Sequence, residues 1–194
     1  MYKNVIKRIL DVLVSAILLV ILSPLFLIVY ILVKADSKGP FLFIQKRLGY
    51  HEQIFNAYKI RTMTHKIRAP QGQVYGTHPD VTRVGFFLRK YKIDELPQLI
   101  NIFLGDMSFV GPRPGLPEHL KDYNELAKTR LDVRPGLTGL AQINGNIYLS
   151  WPERWIYDGL YVKQVSFKLD VLIIGKTFLI LIKGEDKFLK KPNA

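Results

Sequence analysis

The residues best suited to chemistry lie together in the segment from Lys92 to Pro114. Two adjacent acids, Asp94 and Glu95, precede a short apolar run that has a proline near its start and Gly105 at its end. Proline in a first helical turn and glycine just past a last turn are typical helix boundaries. We therefore predict a helix that begins beside the two acids and ends at Gly105. The helix dipole should favour the ionised form of both carboxylates.

These two carboxylates are suited to phosphate chemistry. An ionised Asp94 is a competent nucleophile toward phosphorus, and Glu95 offers hard oxygen ligands for a divalent metal ion. Farther along, the turn from Gly111 to Pro114 holds Arg113 between two prolines. A guanidinium presents a planar fork of donors that fits a phosphate. The same residue types also serve as ordinary helix caps and surface turns, so the Asp-Glu pair alone does not decide its role.

A long uncharged segment runs from Val12 to Val33. About 20 apolar residues cross the hydrocarbon core of a bilayer, so this length permits a membrane span. The run is too long for a cleavable signal peptide. Ser23 and Pro24 interrupt the run at its middle, and basic residues flank both of its ends. The positive-inside rule would place both ends on the cytoplasmic side, which favours a re-entrant helix broken at Ser23-Pro24. A straight span stays open, because membrane helices tolerate proline.

The membrane segment divides the chain into two predicted parts. Residues 1–36 form the re-entrant helix, and residues 37–194 form one compact, membrane-associated domain on the cytoplasmic face, since roughly 160 residues suffice for a single core. Asp11 follows Lys7 and Arg8 at helical spacing. This spacing predicts a salt bridge at the membrane interface that fixes the depth of the helix.

Composition narrows the classes of function. The chain of 194 residues has no cysteine, which excludes disulfides and thiolate metal sites, and its four histidines lack the spacing of a zinc site. A formal charge of +12 suits an anionic partner such as lipid headgroups, a nucleotide diphosphate or nucleic acid. No nucleic-acid-binding motif is present, and an anionic leaflet accounts for the charge.

The remaining chain predicts an α+β domain that is mainly helical. Two strands, 41–47 and 54–63, should form a hairpin through the turn 49–52. Residues 65–80 are polar and rich in turn formers, which predicts a mobile loop, and residues 133–148 predict an ordered loop. Lys176 interrupts the last apolar run, which favours an interfacial amphipathic helix over a core helix. Helices are predicted over residues 81–90, from 94 onward, and over 117–131, 152–164 and 169–182.

Taken together, the residues resemble the small monotopic phosphoglycosyl transferases of the bacterial sugar transferase family. The resemblance covers essentially the whole chain. It is carried by Lys7-Arg8, Asp11, Ser23-Pro24, Gln45–Arg47, Tyr58–Met63, Arg89, Asp94–Leu99, Gly105–Pro114 and Arg134–Gly139.

The resemblance implies a two-step transfer at the bacterial inner (cytoplasmic) membrane. Asp94 would attack the β-phosphate of a UDP-sugar, expel UMP and form a covalent phosphosugar–aspartate intermediate. Undecaprenyl phosphate would then take the phosphosugar, as the first membrane step of glycan assembly. The family requires Mg²⁺, for which Glu95 is the implied ligand beside Asp94, while Arg89 and Arg113 would bind the phosphates.

Four further residues are candidates for lining the site. Lys59 and Arg61 would line either the site or the lipid surface. Asp106 would be a second metal-binding or orienting carboxylate, or only an acid at a helix end. Asn146 and Leu140 depart from the family pattern, where many members carry Arg and Trp, so recognition of the sugar or nucleotide is expected to differ here.

Other classes of function stay open at this point. One is a membrane-anchored UDP-sugar hydrolase that uses the same site with water as acceptor. Another is a non-enzymatic basic protein that binds anionic membrane lipid or nucleic acid. The sequence does not identify the sugar or the glycan, and it does not separate a monomer from a homo-oligomer.

Overall fold

The computed structural model describes residues 2–65 and 78–184. This part of the chain is mostly helical and contains one antiparallel strand pair and one short parallel pair, which confirms the predicted α+β, mainly helical class. Residues 66–77 of the predicted loop at 65–80 lie outside the described residues. The elements in chain order are α1 (Lys7–Ile21), α2 (Ser23–Asp36), β1 (Leu42–Leu48), β2 (Ile54–Ile60), α3 (Arg83–Lys90), α4 (Gln98–Leu104), β3 (Ser108–Val110), α5 (Glu125–Lys128), β4 (Gly136–Thr138), α6 (Leu140–Ile143), α7 (Trp151–Gln164) and α8 (Phe167–Lys183).

Helices α1 and α2 meet at a bend of 58° beside Ser23 and Pro24. Proline has no N–H, so the carbonyl of Val20, four residues earlier, loses its usual helical donor. The hydroxyl of Ser23 donates to that carbonyl instead, at 2.8 Å. Within the described chain no single helix is long and apolar enough to cross a bilayer, whereas this bent pair passes the same test jointly. The position of the break is thus confirmed, and insertion into a membrane stays a prediction.

The polar residues at the start of α1 find partners in other elements rather than in one another. Lys7 forms an ion pair with Asp170 at 2.7 Å, and Arg8 donates to the carbonyls of Ile102 and Phe103 at the end of α4. Asp11 is buried and accepts a hydrogen bond from a backbone N–H of β3. The expected interfacial salt bridge among them is therefore wrong, because α1 packs against the domain and its polar groups are used there.

The hairpin of β1 and β2 supports α4. Strand pairing runs from Leu42 opposite Ile60 to Leu48 opposite Ile54, so β2 ends three residues earlier than predicted, and Met63 instead bridges to Val81. Apolar residues on one face of β2 pack with those of α4 in a buried cluster. Its buried members are Phe55, Ala57, Leu99, Ile102 and Met107.

Helix α4 ends where its sequence predicts, but it begins at Gln98 rather than at the two acids. It begins directly after Pro97, and Gly105 ends it with a φ of 100°, donating to the carbonyls of Asn101 and Ile102. A left-handed φ is readily available to glycine, which explains the glycine at this position.

Two predicted segments differ from the structure. The predicted helix over residues 117–131 is split into a 3₁₀ turn, the short α5 and a second 3₁₀ turn, because Asn124 caps α5 by accepting from Ala127. Its apolar face is nonetheless buried as one cluster. The predicted loop over 133–148 contains β4, α6 and a 3₁₀ turn.

Helix α8 has one face in the core and a second, exposed apolar face, and its predicted place at a membrane interface stays a prediction. Ile173 and Ile180 belong to the core, while Phe178 is 62 % and Ile182 is 80 % exposed. The helix therefore closes the core with one face and presents a second apolar face outward.

The carboxylate of Asp170 on α8 joins the N-terminal helix and α7. It accepts from the Tyr2 hydroxyl at 2.6 Å, from Lys7 Nζ at 2.7 Å and from the Tyr161 hydroxyl at 2.8 Å. Asp170→Ala would leave Lys7 largely buried without its carboxylate, so we expect a loss of about 3–5 kcal/mol in the free energy of unfolding. Thermal unfolding in detergent micelles measures this loss. The exposed Asp122→Ala is the control, and equal melting temperatures in the two variants would contradict the role of Asp170.

Candidate active site

Glu95 lies at the meeting point of three segments of the chain. Its Oε1 accepts from Lys59 Nζ at 2.7 Å and from a guanidinium N–H of Arg113 at 2.6 Å, and Oε2 accepts from the second arm of Arg113 at 3.3 Å. Burial raises the pKa of this carboxyl, but Arg113 and Lys59 outweigh burial and hold the pKa well below its usual range. The ionised form of Glu95 is therefore stabilised by the two cations that it contacts.

Asp94 has the opposite electrostatic character. Burial and the neighbouring Glu95 raise its pKa to about 6, against the attraction of Lys59 and Arg89. The sequence predicted a stabilised anion, which is wrong for the ligand-free protein. The two acids occupy a 3₁₀ turn, Ile93–Glu95, that precedes α4 instead of forming its first turn, and burial outweighs the attraction of nearby cations.

Arg89 lies on α3 and interacts electrostatically with Asp94. Its Nε donates to the hydroxyl of Thr62 at 2.8 Å. Burial lowers the pKa of Arg89, and the charge of Asp94 opposes that shift, which places the two groups within electrostatic range. The structure thus brings Arg89, Arg113 and Lys59 around the two adjacent carboxylates.

Hydrogen bonds of Asn101 join α4 to strand β2 of the hairpin. The amide of Asn101 is fully buried, with Oδ1 accepting from the N–H of Tyr58 at 3.1 Å and Nδ2 donating to the carbonyl of Asn56 at 2.8 Å. These bonds fix β2 against α4. Lys59, the next residue of β2 after Tyr58, is consequently held beside Glu95.

The turn that carries Arg113 is fixed by its backbone. Gly111 donates to the carbonyl of Thr138 at 2.9 Å, and Gly136 donates to the carbonyl of Pro112 at 2.9 Å, as extensions of the parallel β3–β4 pair. A Cβ on Gly111 would lie 2.3 Å from the carbonyl oxygen of Arg134, so no side chain fits there. The close approach requires glycine and sets the direction of Arg113.

Arg130 supports the same turn from inside the protein. It donates to the carbonyl of Arg113 at 2.6 Å and to the hydroxyl of Tyr123 at 2.8 Å, and it forms an ion pair with Asp158 of α7 at 3.0 Å. Both side chains of this pair are buried. The backbone at Arg113 is therefore tied to α7 through a charged pair.

The other candidates from the sequence lie in three different places. Arg61 donates to the carbonyls of Val33, Ser37 and Lys38, so it caps the end of α2. Asp106 accepts from Asn101 at 3.0 Å at the far end of α4 from the two acids. Asn146, in the left-handed region with a φ of 45°, lines the same large cavity as Asp94, Glu95 and Arg113.

Sequence reasoning did not single out Arg47, Asn101 or Arg130 as site residues. Arg47 donates to the carbonyl of Pro114 at 3.3 Å, and burial together with nearby Arg113 lowers its pKa to about 10. Of these, only Arg47 could have been found from the sequence, because it lies in the segment Gln45–Arg47 that carries the family resemblance. The roles of Asn101 and Arg130 depend on contacts between segments far apart in the chain.

The carboxylates of this site are ligands of the kind that Mg²⁺ takes in proteins. Across residues 2–65 and 78–184, no cluster of three His, Cys, Asp or Glu side chains could hold a metal ion by itself. Mg²⁺ in proteins commonly takes one or two carboxylates and completes its shell with water and substrate phosphates. Glu95 and Asp94 fit that pattern when a phosphate ligand is also bound.

Comparison with known proteins identifies the family. The family model described as bacterial sugar transferase matches residues 2–184, nearly the whole chain. The chain belongs to the bacterial sugar transferase family, and the resemblance seen in the sequence is confirmed.

Individual relatives carry more specific names. An uncharacterized sugar transferase of Bacillus subtilis, EpsL, is 40% identical over 181 residues, covering 93% of this chain and 89% of the relative. A UDP-glucose:undecaprenyl-phosphate glucose-1-phosphate transferase of Klebsiella pneumoniae is 40% identical over 93% of this chain and 40% of its own length. A UDP-N-acetylgalactosamine-undecaprenyl-phosphate N-acetylgalactosaminephosphotransferase of Aeromonas hydrophila is 37% identical over 92% of this chain and 44% of its own.

The raised pKa of Asp94 is directly measurable. In the metal-free protein its carboxyl should be protonated below about pH 6 and ionised above it, because burial and Glu95 disfavour a second anion. Carbon-13 NMR of labelled aspartate carboxyls follows the titration, and Asp94→Asn identifies the signal by its disappearance. A midpoint near the ordinary value of about 4 would contradict this electrostatic picture.

Proposed function

We propose that this phosphoglycosyl transferase transfers a sugar phosphate from a UDP-sugar to undecaprenyl phosphate, giving undecaprenyl-diphosphate-sugar and UMP. The observation that carries the proposal is the pair of adjacent carboxylates, Asp94 and Glu95, surrounded by Lys59, Arg89 and Arg113 in a chain of this family. The names of the Klebsiella and Aeromonas relatives support both the donor class and the acceptor. Since those relatives use different sugars, the sugar of this chain stays unassigned.

The proposed chemistry has two displacements at one phosphorus atom. A carboxylate oxygen of Asp94 forms a bond to the β-phosphorus, and the bond from that phosphorus to the bridging oxygen breaks. UMP leaves with the bonding electron pair. A phosphate oxygen of undecaprenyl phosphate then attacks the same phosphorus, and the Asp94 oxygen leaves as a regenerated carboxylate.

Phosphoryl transfer needs positioning and charge neutralisation more than other catalytic devices. Arg89 and Arg113 approach the two acids from different elements, which suits them to opposite sides of a diphosphate. Mg²⁺ held by Glu95, with Asp94 beside it, would supply further neutralisation of the phosphate oxygens. The nucleophile is the less neutralised of the two acids, so its anion is the more reactive.

We also propose that the enzyme sits in the inner membrane with its site at the cytoplasmic face. Exposed apolar side chains extend over α1, α2, α3 and α8. A re-entrant α1–α2 pair would account for the bend at Ser23 and Pro24, and anionic headgroups would meet the basic surface. The most exposed of these apolar residues are Val20, Ile21, Leu27, Phe178 and Ile182.

The proposed nucleophile is tested by Asp94→Asn. The amide cannot form the acyl phosphate, so UMP release should fall below about one-thousandth of the wild-type rate, as is usual for loss of a nucleophile. In the wild type, omission of undecaprenyl phosphate should leave a phosphosugar adduct that intact-mass spectrometry detects. The exposed Asp132→Asn is the matched control.

The same experiment separates the transferase from a hydrolase. UMP release that depends on undecaprenyl phosphate supports transfer, whereas release at an unchanged rate without the lipid would indicate that water is the acceptor. Retained turnover in folded Asp94→Asn protein would exclude Asp94 as the nucleophile.

The Arg130–Asp158 pair provides a test of positioning. Replacing both residues with apolar ones of similar size, Arg130→Met with Asp158→Leu, leaves no unpaired buried charge, so the fold should survive. The double variant lacks the hydrogen bond to the Arg113 carbonyl, so Arg113 should be less well positioned. We therefore expect the KM for the UDP-sugar to rise roughly tenfold, which corresponds to the free energy of one charge-assisted hydrogen bond. Thermal unfolding controls for stability. Unchanged kinetics in a folded double variant would show that Arg130 supports the fold alone.

A further inference from the structure

Trp151 lines the same cavity as the candidate active site and takes no part in the chemistry proposed above. It is 44 % exposed, although its side chain is a large aromatic ring. The cavity is also lined by Asp94, Glu95 and Arg113. An accessible aromatic ring on the wall of a phosphate-binding cavity is suited to contact a planar part of the ligand.

The start of α7 holds Trp151 in place. The helix begins with a capping box, in which the Ser150 hydroxyl accepts from the N–H of Glu153 at 3.5 Å and the Glu153 carboxylate accepts from the N–H of Ser150 at 2.6 Å. Pro152 follows in the first turn, where its fixed φ favours the helix. The ring of Trp151 is therefore presented from a rigid helix end.

Two nitrogen-containing side chains border the ring of Trp151. The guanidinium carbon of Arg154 lies 4.9 Å from the ring centroid. The ring of His119 lies 5.3 Å away at an interplanar angle of 69°. Both residues line the cavity as well, and we call the three side chains the Trp151 cluster. Since aromatic rings and guanidinium planes are the groups on which nucleic-acid bases stack, this cluster has the composition of a base-binding surface.

Arg47 connects the turn that carries Arg113 to the Trp151 cluster. It donates to the carbonyl of Pro114 at 3.3 Å. It lies within electrostatic range of Arg113 and also of Glu118, the residue that precedes His119. Along the cavity wall, Arg113 is thus followed by Arg47 and then by the cluster.

Asp94 lies toward the other end of the site. The charged groups that act most strongly on its carboxyl are Glu95, Lys59 and Arg89. In phosphoryl transfer the leaving oxygen lies roughly in line with the attacking oxygen, on the opposite side of the phosphorus. If Asp94 attacks the β-phosphorus, UMP therefore leaves toward Arg113, and its nucleoside extends toward the Trp151 cluster.

We propose that the ring of Trp151, bordered by His119 and Arg154, is the surface on which the uracil base of the donor stacks. This inference rests on the proposed function, since it takes the nucleoside of a UDP-sugar as the ligand. Stacking is tolerant of the identity of the base, so the ring supplies affinity for the nucleotide rather than a choice among bases. The sugar, which is attached to the β-phosphate, stays at the Asp94 end of the site.

The chain contains two tryptophans, so the fluorescence of each can be measured separately. In Trp155→Phe the remaining tryptophan is Trp151, and the phenylalanine keeps an aromatic ring beside Tyr123, whose ring centroid lies 5.8 Å from that of Trp155. We expect UMP to quench the fluorescence of this full-length variant saturably in neutral detergent, because a base stacked on the indole quenches it. Ribose 5-phosphate and glucose 1-phosphate, which lack a base, should leave the fluorescence unchanged.

Trp151→Phe is the matched control for the fluorescence experiment. The remaining tryptophan is then Trp155, which packs against the buried cluster of Tyr123, Ala127 and Leu131. Its fluorescence should not respond to UMP.

Isothermal titration calorimetry gives the contribution of the ring to affinity. Trp151→Ala should weaken UMP binding roughly tenfold to a hundredfold, the usual effect of losing one base–aromatic stack, and should leave pyrophosphate binding unchanged. Trp151→Phe keeps an aromatic face and should restore most of the affinity. Trp151→Leu keeps apolar bulk without that face, and it replaces the alanine variant if that protein does not fold.

The inference is overturned if UMP binds in calorimetry without quenching Trp151, or if a folded alanine or leucine variant binds UMP as tightly as the wild type. Quenching by glucose 1-phosphate but not by UMP would assign the ring to the sugar and overturn it as well. Failure of the proposed function gives a different pattern. A wild-type protein that binds neither UMP nor UDP and releases no UMP would refute the transferase proposal together with this inference.

Discussion

The ion pairs of Glu95 are the interaction on which the candidate site depends. One carboxylate draws together β2 through Lys59, the turn after β3 through Arg113, and the 3₁₀ turn before α4. These segments are distant in the chain and share no secondary structure. Because a buried anion is costly without partners, the two cations are required for Glu95 to be ionised there. The same ion pairs therefore position the segments of the site and keep Glu95 ionised.

Hydrogen bonds elsewhere in the fold hold these segments in place around Glu95. Asn101 fixes α4 to the backbone of β2, and Arg8 of α1 bonds the carbonyls at the other end of α4. Arg61 caps α2 in the same way from the end of the hairpin. Charged side chains thus join α1 to the C-terminal end of α4, and the end of the hairpin to α2.

Local signals in the sequence were sufficient for some of these features. Gly105 ends α4 because glycine takes a left-handed conformation, and the break at Ser23 and Pro24 follows from a missing N–H. The acids and arginines of the site were found by residue type and family resemblance. Each of these inferences depends on a few neighbouring residues or on a pattern in the sequence.

What the sequence could not provide were contacts between distant segments. The position of Lys59 beside Glu95 depends on strand register and on Asn101, which no local pattern reveals. The predicted helix over 117–131 had the correct buried face, but Asn124 starts a new helix by capping it. The prediction that the Asp94 anion is stabilised was wrong for a related reason. The helix-dipole argument omits burial and the charge of the adjacent Glu95, and both raise the pKa of Asp94.

The two adjacent acids differ in their cation contacts and in their pKa, and this difference suits them to different roles. Two carboxylates side by side in a partly buried site cannot both be strongly neutralised by the same cations, and here Glu95 takes the close contacts. Asp94 keeps weaker, longer-range attraction and consequently a raised pKa. A carboxylate bound tightly by two cations is a poor nucleophile, whereas one that is less stabilised retains its basicity.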